Sequence, residues 1–303
     1  MKLKFAILFL IASNFLFGQK NQEHITRTYN FQLNTTGIPF SNYKELKNSR
    51  DIKIDSVGSI IIKSDTLIYV TGLPKMNGVK VNYEPKDSIF LETYKNLVYD
   101  KVNLNKTKKN KNLPTMKIWK EEIKVYFDST VTNKNKRELV KLMKFIDKEI
   151  DSLKIKIVNS KEKSNYFIYF LNKPSDIDWD TRIKDKDGCY ISWNDKQQIY
   201  KCTMKIDTKI IFNEKEQLML MKKHFIWSLG YFSFLKDRDC KSFLSNCVSL
   251  DKELTNEDLE LLKYHYSYGI CKGTDLETFE QNHRSAKKSL EKNPNGEYYF
   301  MHN

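Results

Sequence analysis

The chain has 303 residues, 40% of them hydrophobic, and carries a formal net charge of +14 from 52 basic and 38 acidic side chains. That length excludes a chain too small to bury its own core and allows one or two domains. The positive balance favours anionic contacts such as envelope lipid, acidic polysaccharide or nucleic acid, although solubility alone accounts for it equally well.

The first 18 residues, MKLKFAILFLIASNFLFG, place Lys2 and Lys4 before an apolar run broken only by Ser13 and Asn14. This is the pattern of a cleavable export signal and is too short for a lasting membrane anchor. Cleavage after Gly18 would leave Gln19 at the new terminus and lower the net charge to +12, and no Cys follows the run to take a lipid. The expectation is a secreted or periplasmic protein with no transmembrane anchor.

Residues 19–104 contain short alternating runs, SIIIKSDTLIYVTG and DSIFLETYKNLVYD, separated by Gly, Pro, Asn and Asp. They read as a β-rich region of strands and turns. The dense run NKTKKNK, inside a linker expected over 105–115, fits a solvated connection better than a binding patch.

From Met116 the texture changes to mixed α+β. IKVYFD alternates as a strand, and NKRELVKLMKFIDKEIDSL sets Leu139, Met143, Ile146 and Ile150 on one helical face. KIKIVN and NYFIYFLN follow as strands. Asn213 and Glu216 predict the start of a helix carrying Leu218, Met221, Phe225 and Leu229 on one stripe, with Gly230 as its stop. Thr255 and Asp258 predict a capped helix after it, with Leu254 and Leu259 placed to staple its entry. This domain is expected over 116–275, with 276–303 as a tail.

All five cysteines lie in the second half: Cys189, Cys202, Cys240, Cys247 and Cys271. In an exported chain cysteines usually pair. In CYISWNDKQQIYKC, a two-residue turn at Asp195-Lys196 would set Trp193 opposite Gln198, Ile191 opposite Tyr200 and Cys189 opposite Cys202, close enough for a disulfide. Cys240 and Cys247 could close a small loop, with Cys271 as a competitor for either.

The order strand, helix, strand, strand, then a helix ending in Leu-Gly, a loop and another helix resembles the zincin metallopeptidases over about Met116 to Gly273. The nearest likeness is the degenerate branch found in exported bacterial proteins of unknown function. KIWKEEIKVYFD, KKHFIWSLGYF and LTNEDLELLKYHYSYGICKG carry that resemblance. The active pattern is H-E-x-x-H-x-x-G-x-x-H, in which the His residues hold zinc and the Glu activates its water. Anchoring on Gly230 puts Lys223 and Trp227 at the first two ligand positions, Ser233 at the third and His224 at the Glu. An ammonium has no lone pair and an indole only donates. The resemblance therefore implies a zincin-like fold without the zinc-binding residues and without a cofactor.

Other constellations are less specific. None of the five histidines has a His, Asp or Glu four residues away on the two well-formed helices, and both His224 and His265 read most simply as helix packing. Asp176, Asp178 and Asp180 around Trp179 read as an acidic loop or, less simply, as a calcium or paired-carboxylate site. The mixed charges of KDRDC read as solvated. The reading is a non-catalytic binding protein for a protein, peptide or anionic envelope polymer, with no specific nucleic-acid signal. Two alternatives stand beside it: a peptidase-like hydrolase that uses His224 with carboxylates from elsewhere in the fold, and a basic surface protein for anionic envelope polymer.

Overall fold

The computed structural model describes residues 29–30, 36–40, 43, 47, 55–62, 65–71, 79–101, 114–270, 272–292 and 299–302. The expected export signal, the NKTKKNK run, His24 and Cys271 lie outside them. Two compact units divide between Gly78 and Val79.

In the first unit β1 (Tyr29–Asn30), β2 (Thr36–Pro39), β3 (Asp55–Ile62) and β4 (Asp65–Thr71) make an antiparallel sheet in the order β1-β2-β4-β3. SIIIKSDTLIYVTG spans β3 and β4, with Ile60 opposite Leu67. Ile68 and Val70, two apart on β4, are both buried, as period-two alternation requires.

The second unit begins with β5 (Val79–Asn82) and α1 (Ser88–Tyr99). The expected strand in DSIFLETYKNLVYD is therefore a helix. Asp87 caps it by accepting the Phe90 N–H at 2.8 Å. Tyr94, Leu97 and Val98 recur at helical spacing, which the short alternations of the same run conceal. Tyr94 packs edge-on to Tyr264, centroids 4.8 Å apart, and against Phe279 at 5.4 Å. These contacts join residues 79–99 to the second unit, so the compact unit starts at Val79 and not at 116. The expected C-terminal tail is also part of the fold. Leu276–Lys292 forms a helix with Phe279 and Ala286 buried, and Tyr299–His302 pairs antiparallel with β5.

The elements between are β6 (Ile118–Trp119), β7 (Ile123–Phe127), α2 (Asn133–Glu149), β8 (Ile155–Ile157), β9 (Tyr166–Leu171), β10 (Asp187–Trp193), β11 (Gln198–Asp207), α3 (Glu214–Ser228) and α4 (Asn256–Tyr266). The Leu276–Lys292 helix is α5 and the Tyr299–His302 strand is β12. The main sheet runs β10-β11-β9-β7-β8, with β6 beside β11. All its pairings are parallel except β10 with β11. The architecture is mixed α+β with a mostly parallel sheet.

On α2, Leu139, Met143 and Ile146 are buried at the predicted spacing, each stabilising the fold by about 1.5–3 kcal/mol. Asn213 caps α3, accepting the N–H groups of Lys215 and Glu216. The Glu216 carboxylate lies toward Lys186 at 3.9 Å. Thr255 and Asp258 complete a reciprocal capping box on α4. Trp119 ties the layers together: its indole donates to the Ser228 carbonyl at 2.9 Å, and its N–H meets the Tyr266 hydroxyl at 3.3 Å.

The hairpin corrects the expected register. Its loop holds one residue more than a two-residue turn, because the Gln197 N–H closes on the Asn194 carbonyl and Gln197 takes a left-handed φ of 60°. A bulge then leaves Tyr200 without a partner, since Trp193 faces Ile199 while Ser192 faces Lys201. Two extra residues on one side slide the pairing by two. Cys189 faces Met204, Cys202 faces Ile191, and both cysteines are free thiols. Cys240 and Cys247 form a disulfide with Cα atoms 5.1 Å apart.

Candidate functional site

β10 is a terminal strand of the sheet, and no described strand pairs with its outer edge. Asp187, Cys189, Ile191 and Trp193 alternate onto one face of it, and that face meets α3. His224 and Trp227, one helical turn apart, lie on the side of α3 that faces this surface. The seven residues from Asp187 to Trp193 span about 20 Å. One end of this band is polar and the other aromatic.

At the polar end His224 Nε2 lies 2.7 Å from Asp187 Oδ2, both side chains less than one-fifth exposed. Burial works to raise the Asp187 carboxyl. The His224 hydrogen bond and the nearby charges of His224, Lys186 and Lys223 outweigh it and hold the carboxyl below its ordinary range. Lys223 sits beside the pair with its ammonium 4.2 Å from the Phe234 ring centroid. Its pKa is lowered by burial, against which the Asp187 charge works. Cys189 Sγ lies 3.9 Å from the His224 carbonyl, not at its imidazole, and 3.9 Å from the Tyr166 hydroxyl. Burial pushes that thiol well up, so it stays protonated.

At the aromatic end Tyr231 lies between Trp227, centroids 5.0 Å apart, and Trp193, 5.3 Å apart. Trp193 and Tyr231 are each more than one-third exposed. Beneath them the buried Lys117 ammonium sits 4.6 Å from the Trp193 ring and 5.7 Å from Tyr231, donating to the Thr115 carbonyl and hydroxyl. Burial lowers its pKa.

The turn that places Tyr231 differs from the one expected. Gly230 is not the left-handed residue; Tyr231 is, with φ 56°, while the Phe232 N–H returns to the Trp227 carbonyl at 3.3 Å. Gly230 is required by space. A Cβ there would overlap the Phe232 ring and come within 2.8 Å of His265 Nε2. A left-handed tyrosine costs roughly 1 kcal/mol or more and persists only where surrounding contacts hold it.

Of the positions that the zincin pattern assigns to zinc chemistry, Lys223, His224 and Trp227 line this band. The Ser233 backbone N–H donates to the Leu97 carbonyl at 2.7 Å. An ammonium over a ring, an indole tilted against a tyrosine and one hydroxyl do not make a zinc site. Among the described residues no group of three or more His, Cys, Asp and Glu is placed to hold a metal ion.

The remaining candidates are structural. His265 is fully buried, with Nδ1 3.0 Å from the Tyr94 hydroxyl and Nε2 2.9 Å from the Lys117 carbonyl. Asp180 binds Arg182 through two 2.7 Å contacts, Asp178 accepts from Tyr169 and Lys205, and Asp176 caps the backbone at Asn172 and Lys173. The three carboxylates thus serve separate partners. In the KDRDC loop Arg238 pairs with Glu257.

Sequence reasoning missed Asp187, Trp193 and Tyr231, and named Trp227 only as a lost ligand position. Trp227 and Tyr231 are four residues apart, but no spacing links either to Trp193, which only the hairpin brings to the end of α3. No protein-family model matches the chain, and no curated protein matches it. Among the described residues no helix is long and apolar enough to cross a membrane.

Proposed function

We propose that this is an exported protein whose second unit is a zincin-like domain that has lost zinc chemistry and serves to bind a polypeptide partner. The element order supports the likeness: β7, α2, β8 and β9, then the hairpin, α3 ending in Leu-Gly, a loop and α4. The Cys240–Cys247 disulfide fits an oxidising compartment. One observation carries the loss of chemistry. Lys223, Trp227 and Ser233 stand where three lone-pair donors are needed, and Lys223 and Trp227 are packed into ring contacts.

The same band supports binding. The outer edge of β10 can accept an extended segment through backbone hydrogen bonds, and the exposed faces of Trp193 and Tyr231 offer anchors beside it. The exported protein, dialysed after exposure to zinc, is expected to retain well under one zinc per chain. Chelators are expected to leave its melting temperature unchanged, and peptide libraries to stay intact. One tightly held zinc per chain, with chelator-sensitive hydrolysis, would sink the proposal.

The 2.7 Å contact between His224 and Asp187 favours a second reading, a hydrolase that uses His224 as a base oriented by a carboxylate. What weighs against it is the nucleophile. Cys189 is the thiol nearest the pair, and it is protonated and faces the His224 carbonyl. Hydrolysis of activated esters or peptides that His224→Ala abolishes, with no metal present, would establish this reading over the first.

A further inference from the structure

At the opposite end of the sheet from β10, a groove of about 680 Å³ runs between α2 and the edge strand β8. Four strand spacings, about 19 Å, separate β8 from β10. Val140, Met143, Ile155 and Ile157 form its apolar floor, and Lys136, Arg137, Lys144 and Lys156 stand around it, with Asn133 at one end. No carboxylate lines it.

The cations on α2 divide into paired and unpaired ones, and Asp147 on the same helix accepts the N–H of the lining residue Ile155 at 2.8 Å. Lys134 pairs with Glu214 and Lys141 with Glu138, whereas none of the four groove cations is in an ion pair with a described residue. Lys136 alone has a ring nearby, Phe127 at 5.5 Å. Lys136, Val140 and Lys144 follow one another at four-residue spacing on a single ridge of the helix, about 12 Å from end to end. Four cations in no ion pair with a described residue, around the partly exposed Val140, Ile155 and Ile157, repel one another at some cost in stability. An anion with an apolar body would offset that cost.

We infer that this groove binds an extended acidic segment of a partner protein, with apolar side chains on the floor and carboxylates toward Lys136, Arg137, Lys144 and Lys156. The shape selects this occupant. A flat anionic bilayer can meet the rim but not the floor, and an isolated acyl chain in so open a groove stays half in water. A polypeptide of four residues spans the 12 Å ridge at about 3.3 Å per residue and alternates its side chains between floor and rim.

The test titrates the full exported protein with a fluorescein-labelled seven-residue peptide alternating glutamate with leucine. Controls are the same peptide with serine for leucine, and vesicles of phosphatidylglycerol. The leucine peptide is expected to bind at least fivefold tighter than the serine peptide, and R137E/K156E to weaken it at least tenfold while circular dichroism and melting stay unchanged. Val140→Asn, which alters the floor without altering charge, is expected to remove most of the preference for leucine. Equal binding of the two peptides, or full binding by R137E/K156E, would overturn the inference. So would vesicle binding that R137E/K156E abolishes while peptide binding persists, since the face would then meet a membrane. These variants lie at the far edge of the sheet from Trp193 and Tyr231, so failure here leaves the β10 surface untouched.

Discussion

His224 and Asp187, 37 positions apart, meet at 2.7 Å across the gap between α3 and the edge strand β10. Asp187→Asn keeps the shape and removes the charge. It is expected to cost about 1–2 kcal/mol at pH 7, the scale of a charge-assisted hydrogen bond in a half-buried setting. The Asp187 carboxyl is held below its ordinary 3.8, so its contribution is complete above that value and is lost as pH falls through the folded pKa. Urea titrations of both proteins should therefore begin to converge as pH falls below 3.8 and meet only below the folded pKa of Asp187. A gap that does not narrow below 3.8 would mean that the aspartate acts through packing.

Gly230 fills a space that admits no side chain. Gly230→Ala must displace the buried Phe232 ring or His265, and neither is a flexible chain end. The expected loss is about 2–3 kcal/mol, the upper part of the range for overpacking. A thermal melt within 1 °C of wild type would show that the turn reshapes at little cost.

What the sequence disclosed follows the range of the forces involved. Leu139, Met143 and Ile146 on α2, and the Thr255–Asp258 capping box, are decided by residues three and four apart and could be read directly. The hairpin strands were legible, but their register was not. It depends on Gln197 adopting a left-handed φ and on Tyr200 bulging, and neither residue type announces that. Helix α1 was hidden because its local alternation suits a strand, while the choice is made by Tyr264 and Phe279, which lie 170 or more positions away. Asp187 sits in an unremarkable Lys-Asp run, and the sheet alone delivers it to His224.

The thiols should separate cleanly by chemistry. Peptide mapping without reductant is expected to find Cys240 joined to Cys247, and neither Cys189 nor Cys202 in that bridge. Closing a loop of eight residues should stabilise the fold by about 2.5 kcal/mol on chain-entropy grounds. Native alkylation should leave Cys189 and Cys202 largely unlabelled, because burial holds the Cys189 thiol protonated and Cys202 is inaccessible. Rapid labelling of either would contradict the packing of β10 on α3.

Acid should weaken the protein well before carboxylates titrate. Burial lowers His265 to about 3 and His283 to about 4, so both stay neutral in the fold while their unfolded forms titrate near 6.5. Below 6.5 the unfolded chain binds more protons, so stability is full above that pH and falls toward 4. Two such groups give a slope approaching about 2.7 kcal/mol per pH unit near pH 5. Asp258, raised by burial, opposes this only between 3.8 and its raised folded value. His283→Asn should roughly halve the slope between pH 6 and 5. Unchanged pH dependence in that variant would mean that His283 is protonated in the folded protein.

Tyr231 joins the two questions of strain and function. Its left-handed backbone favours glycine, yet a tyrosine stands there, 45% exposed, with its ring between Trp193 and Trp227. Tyr231→Gly should recover about 1 kcal/mol of backbone strain and forfeit a similar amount of ring contact, leaving stability nearly unchanged. Tyr231→Ala keeps the strain and loses the ring, so it should be less stable than the glycine variant by about 1 kcal/mol. If the aromatic end is a binding surface, partner capture should fall at least tenfold in both variants alike, irrespective of their difference in stability. Binding that followed stability instead would assign the ring to packing, and undiminished binding in both would remove Tyr231 from the site.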